Sequence, residues 1–232
     1  MSTWEEVTDG VIRRRLSGWD ETIGAIAGDD GLLLVDTGPT PGAAADAGRE
    51  AEALLGRPVT RLVVTHPHFD HLLGAGAFPE AEAYGPRHDA AENARDGVRQ
   101  GLAPEDAAHG EELLSGVRWR IMDGTDVTLD LGGGRRALLV DLGAAHSSHD
   151  IAVVVHGPVP VVFCGDLVEE SGEPQAGPDA RPERWPGALD RLLDLGGPEA
   201  VYVPGHGALV DADFVRAQRD ALRARFGGAG PA

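Results

Sequence analysis

The chain has 232 residues, enough to bury a sizeable core, and its 20 Lys+Arg against 38 Asp+Glu leave a formal charge of −18. Every one of those 20 cations is an arginine, which excludes Schiff-base, P-loop and Ser-Lys chemistry, and the acidic balance argues against nucleic acid and anionic membranes as partners. The lone cysteine, Cys164, rules out an intramolecular disulfide framework.

The first residues, "MSTWEEVTDG", are acidic where an export signal would be basic, and no apolar run approaches about 18 residues, so the expected compartment is the cytoplasm. "VIRRRL", "ETIGAIAGDD" and "GLLLVDTG" then read as strands separated by Gly and Asp turns, the last buried on both faces. "TPGAAADAGREAEALLGR" has Pro at its start, an Ala-rich body and Gly near its end, the marks of a helix. "PVTRLVVTH" returns to strand, and the chain should then turn into a helix at "LLGAGAF". Residues 86–116 read as two helical pieces broken at "GLAPED", with Pro104 in the first turn of the second. From Val117 to Cys164 the pattern is all strand. Residues 167–187 form a Pro/Gly-rich loop too long for a plain connector, either substrate-facing or a mobile surface loop. A helix around "RWPGALDRLLDLG", a strand "AVYVP" and a last helix from "DADFVRAQRDALRARF" complete the chain. With no linker, composition break or short repeat, residues 1–232 read as one domain in which two sheets pack between helical layers.

The chemistry concentrates in "THPHFDH". His66, His68, Asp70 and His71 supply the nitrogen and oxygen donors that zinc-type ions take at about 2.0–2.2 Å. In an extended segment His66 and His68 point the same way and can grip one ion, while the turn after them redirects Asp70 and His71 to a second. The missing ligands should lie at the ends of later strands, beside small residues that leave room. His146 in "GAAHSSHD", Asp166 in "FCGD" and His206 in "PGHG" meet that requirement.

Together with "LLLVDTG", these motifs resemble those of the metallo-β-lactamase fold superfamily of hydrolases, in the family's order, over residues 31–207. The resemblance implies an α/β fold, an αββα sandwich of two mixed β-sheets flanked by helices, with a dinuclear site at one edge. It also implies two Zn2+ per chain, with iron or a mixed pair as the alternative. His66, His68 and His146 correspond to ligands of one metal, Asp70, His71 and His206 to ligands of the second, and Asp166 to the carboxylate bridging both. The expected reaction is attack by a metal-bridging hydroxide on an ester, thioester, lactone or related bond of a small molecule. Asp70 is the expected catalytic residue, orienting the nucleophile and passing on a proton.

The wider family narrows further. Its β-lactamases place Cys or Ser where Asp166 stands, and its lactonases often carry Tyr shortly after that aspartate, where "GDLVEE" has none. Glyoxalase II-like thioesterases add a C-terminal helical region with basic residues, whereas about 25 residues follow His206 here and none is lysine. A mononuclear iron persulfide dioxygenase-like oxidoreductase, using His66, His146 and Asp166, is the alternative from another chemical class; a non-catalytic metal-binding module ranks lower. His149 reads as an accessory acid or as a loop histidine beside a turn-bonding Asp150, and Asp36 as a residue that pins the loops beneath the metals. Cys164 reads as a small buried residue, Trp185 as a pocket wall or a core anchor, and His88, His109 and His156 as structural or exposed. The sequence is silent on oligomeric state.

Overall fold

The computed structural model describes residues 3–227, so residues 1–2 and 228–232 of the expected 1–232 domain lie outside the described residues. One sheet runs in spatial order β1 (Glu5–Thr8), β2 (Val11–Arg15), β3 (Thr22–Gly28), β4 (Gly31–Val35), β5 (Val59–Val63), β6 (Glu82–Gly85) and β7 (Trp119–Ile121). The other runs β12 (Val201–His206), β11 (Val161–Glu169), β10 (Asp150–Val155), β9 (Arg136–Gly143) and β8 (Val127–Asp130). Both sheets are mixed: β1–β4 pair antiparallel and β4–β7 parallel, while β8–β11 pair antiparallel and β12 runs parallel to β11.

Period-two alternation within the buried strands sorts side chains into three apolar layers. From β4, Leu33 and Val35 point between the sheets, where they meet Ile151 and Val153 of β10 and Phe163 of β11. Their neighbours Leu32 and Leu34 face outward onto α1 (Pro41–Leu55), α2 (Phe69–Leu72), α3 (Ala90–Arg99) and α4 (Pro104–Leu114). On the second sheet Ala152, Val154, Val162 and Cys164 face α5 (Trp185–Gly196) and α6 (Ala212–Phe226). Both faces of these strands are therefore dry, which is why "GLLLV" and, after Asp150, "IAVVV" read as unbroken apolar runs. Each such fully buried aliphatic side chain contributes about 1.5–3 kcal/mol.

The helix signatures fold as they read. Thr40 caps α1 by accepting the Ala43 N–H at 3.1 Å, Pro41 opens the helix, and Gly56 closes it in the left-handed conformation. The two helical pieces expected over 86–116 are α3 and α4, with α3 starting only at Ala90 behind its Asp89 cap. Three details differ from expectation. β1 and β6 have no counterpart in the sequence pattern, because four residues such as "EAYG" are too short to show a period. "LLGAGAF" is mostly a 3-10 turn, Leu73–Ala77, since Gly74 lies so close to the Thr37 carbonyl that a Cβ would sit 2.1 Å from it. The long loop spans 170–184, because β11 continues to Glu169. Among the described residues no helix is long and apolar enough to cross a membrane.

Candidate metal centre

All seven expected residues meet where β5 and β12 end and β9 turns into β10, beside the register shift at Gly165 in β11. Asp166 thus lies inside β11 rather than at a strand end as expected, because the strand continues to Glu169. Past β5 the chain bends at residues 65–67, so strand alternation does not aim His66 and His68 together as expected; the bend does. Their rings meet edge to face with centroids 4.7 Å apart. His68 then stands at the N-terminus of α2, whose single turn carries Asp70 and His71 back beneath the same point. His66, His68, His146 and Asp166 each offer a ligand atom within 4.8 Å of the others, as do Asp70, His71 and His206. The Asp166 carboxylate joins the two groups. Its oxygens lie 3.6 Å from His66 Nε2 and 3.5 Å from His146 Nε2 on one side, and 3.2 Å from His71 Nε2 and 3.4 Å from His206 Nε2 on the other.

The outward-facing ring nitrogens decide what the inward ones can do. The Trp19 carbonyl can only accept, so His206 donates through Nδ1 at 2.7 Å and leaves Nε2 bare. His71 donates Nδ1–H to Asp36 at 2.9 Å, and His68 donates Nε2–H to Asp179 at 3.2 Å, leaving His71 Nε2 and His68 Nδ1 bare. The Thr65 hydroxyl donates to Asp36 at 2.9 Å and accepts from His66 Nδ1 at 2.9 Å, so His66 Nε2 is bare as well. Each of these four histidines is thereby held in the tautomer that presents a lone pair to the centre, whereas His146, with Nε2 3.1 Å from His68 Nδ1, has no outer partner on Nδ1 among the described residues.

Two consequences follow. His71 Nε2 and His206 Nε2 face one another at 3.3 Å, an arrangement two neutral lone pairs cannot hold without positive charge between or upon them. His66 Nε2 is buried with no hydrogen-bond partner among the described residues, and Asp166 Oδ1 is buried with only the His71 Nε2 nearby, at 3.2 Å. Protons or a cation must supply the charge, and the electrostatics agree. Burial and the neighbouring His71 keep His66 well below the ordinary imidazole range, and burial also lowers His146. For His206 burial works downward, but Asp166 and Asp70 outweigh it and push the ring up to about 11. His71 is raised in the same way, while Asp166, despite its burial, is held well below the usual carboxylate range by His71 and His206. A nitrogen-rich donor set that shares one carboxylate, with bare buried lone pairs facing inward, fits divalent metal of the zinc type.

Asp36, at φ 61°, accepts the Thr65 N–H at 2.7 Å besides its bonds to Thr65 Oγ and His71, the pinning role expected of it. A Cβ on Gly205 would lie 1.9 Å from Asp166 Oδ1, so the glycine before His206 leaves room for the carboxylate. Trp185 is a core anchor: fully buried, it donates to the Leu167 carbonyl at 2.9 Å and sets its ring edge-on to His146. Asp150 accepts the Ala145 and Ser147 amides, while His149 bonds Asp141 at 2.8 Å and lies outside the cavity lining. Cys164 is buried in its strand, its thiol pushed up by burial. His109 and His156 are exposed.

A cavity of about 940 Å³ opens over the centre. Helix α3 forms one wall with Glu92, Asp96 and Arg99, and the 170–184 loop another with Glu173, Gln175 and Asp179, which gives that loop a place at the site. Sequence reasoning assigns no part in the site to Trp19, Asp179 or His88. Trp19 acts through its backbone carbonyl, Asp179 sits in an aperiodic loop, and His88 stands on Trp119 at the cavity rim, so none has a local signal.

Two mixed sheets between helical layers, with a histidine–aspartate centre at their edge, define a metal-site αββα fold. The family model described as "Metallo-beta-lactamase superfamily" matches residues 18–206, and the chain belongs to that superfamily. In fold it is similar to a metallo-beta-lactamase from Pontibacter korlensis, at TM-score 0.70 and 19% identity, over 96% of this chain and 99% of that one. It is likewise similar to a metallo-beta-lactamase from Hirschia baltica, at TM-score 0.70 and 18% identity, over 95% and 97% of the two chains. A third such structure is the metallo-beta-lactamase FIM-1 from Pseudomonas aeruginosa in a mono-zinc form, at TM-score 0.70 and 19% identity, over 97% and 96%.

Proposed function

We propose that this protein is a metal-dependent hydrolase of a small molecule bearing an ester, thioester, lactone or related bond. In this reading His66, His68 and His146 hold one divalent ion, Asp70, His71 and His206 a second, and Asp166 lies between them. The observation that carries it is the set of bare ring nitrogens locked inward by Asp36, Thr65, Asp179 and the Trp19 carbonyl. When bound, such ions supply Lewis acidity and lower the pKa of water to about 7.

The chain's own residues do the rest. Asp70 Oδ2, 3.3 Å from His206 Nε2 and 3.6 Å from His71 Nε2, lines the cavity and is the carboxylate placed to orient a nucleophilic water and take its proton. Asp36 and Asp179 keep the imidazoles in register.

Metal analysis of protein purified without added metal, followed by turnover on a panel of esters, thioesters, lactones, lactams and phosphodiesters, tests the reading. About two zinc per chain with turnover of an acyl substrate is the expected result. One iron per chain, with oxygen uptake on a persulfide, would replace it with the oxidoreductase alternative. Full occupancy without turnover on any substrate would leave a binding module.

A further inference from the structure

We propose that the substrate is an acyl compound whose non-reacting end carries a protonated amine, received by the carboxylates that wall the cavity; this rests on the hydrolase reading above. Besides Asp70 and Asp166 on its floor, the cavity is lined by six carboxylates against two arginines. Both arginines are already paired, and so are Glu92 and Asp96, which leaves Asp89, Glu169, Glu173 and Asp179 as the acid that no lining arginine matches. Arg99 bonds Glu92 at 3.3 Å and Asp96 at 2.9 Å, and Arg87 lies 3.4 Å from Asp123. An anionic substrate thus finds no unpaired arginine among the described lining residues, and the sequence has no lysine. Burial holds His88 below the ordinary imidazole range, so the rim gains no cation from it near neutral pH.

One carboxylate stands out as the receiver. Glu173, in the 170–184 loop, has no hydrogen bond or ion pair to its carboxylate among the described residues. Glu169, with an oxygen within 4.8 Å of ligand atoms of Asp166 and His206, belongs to the floor rather than to the remote wall. The floor is a site independently of this acidity: His66 is 1% exposed, and its Nε2, 3.6 Å from Asp166, has no hydrogen-bond partner among the described residues. With its metals the floor attracts an electron-rich acyl oxygen, while the walls repel anions and attract cations. That polarity selects a molecule with its acyl group at one end and an ammonium at the other.

The test is a matched ester series that differs only in the remote group, as ammonium, uncharged isostere or carboxylate, assayed on the zinc-loaded protein. Non-hydrolysable ketone analogues of the three are titrated by calorimetry in parallel. The expected order is ammonium, neutral, carboxylate, with about tenfold in kcat/KM and in affinity between the extremes at low salt, shrinking as salt screens the walls. Glu173→Gln should narrow that ratio, and Glu173→Arg should narrow it further or invert it. Turnover with the carboxylate ester preferred, or a ratio indifferent to both variants and to salt, overturns the substrate class and leaves the hydrolase standing. The expected order in binding without turnover of any ester keeps the charge selection and overturns the hydrolase. Absence of both binding and turnover overturns both.

Discussion

Asp36→Asn separates the residues that orient the centre from those that would bind metal. Asparagine tolerates the positive φ at this position and preserves shape. Its Oδ1 can still accept the Thr65 N–H, but an NH2 replaces the oxygen that lies 2.9 Å from both Thr65 Oγ and His71 Nδ1. The hydroxyl can rotate to accept; the imidazole cannot accept without losing its Nδ1 proton. His71 would then carry its proton on Nε2, the atom facing Asp166 at 3.2 Å and His206 at 3.3 Å. Charge-assisted hydrogen bonds contribute about 1.5–3 kcal/mol each, and neutral replacements recover part, so folding should lose about 1–3 kcal/mol. Metal affinity at the Asp70–His71–His206 group should fall about 10–100-fold, while the His66–His68–His146 group changes less. Competition titration of zinc against a chromophoric chelator, with thermal unfolding alongside, reads both quantities. A folded variant that binds both ions as tightly as wild type would refute the tautomer argument.

Three other outcomes are expected. Asp70→Asn should keep the fold and cut turnover about 10²–10⁴-fold, and an unchanged kcat with metals bound would remove Asp70 from the chemistry. Gly205→Ala would drive a Cβ to 1.9 Å from Asp166 Oδ1, so metal content should drop; equal metal content by elemental analysis would show that the backbone yields there at no cost. Glu21 is 1% exposed with both carboxylate oxygens unpartnered, and burial raises it to about 7 from the ordinary 4.5. Because its folded pKa lies above the unfolded one, its contribution is fully present below pH 4.5 and lost as pH rises through 7. Metal-free Glu21→Gln should therefore gain about 3 kcal/mol relative to metal-free wild type between pH 4.5 and pH 8, read by urea denaturation. A difference that stays constant with pH would mean that Glu21 does not titrate in this range.

Chemistry written into adjacent residues is legible in the sequence alone. The donors of "THPHFDH" and the small residues beside His146, Asp166 and His206 report a centre, because a ligand must be a particular residue type with space next to it. Strands dry on both faces and helices with explicit caps are legible for the same local reason. Other features exist only through contacts distant in sequence. His206 is oriented by a carbonyl 187 residues away at Trp19, and His68 by Asp179 across 111 residues. The bend at residues 65–67, rather than strand alternation, brings His66 and His68 together, and packing of Gly74 against Thr37 tightens the next turn. The acidic walls come from α3 and the 170–184 loop, segments without a shared sequence pattern that meet over one cavity. Residue type and spacing thus determined which atoms are available as ligands. Tertiary packing alone decided their tautomers, their convergence and the charge surrounding them, since each depends on groups the chain brings together only when folded.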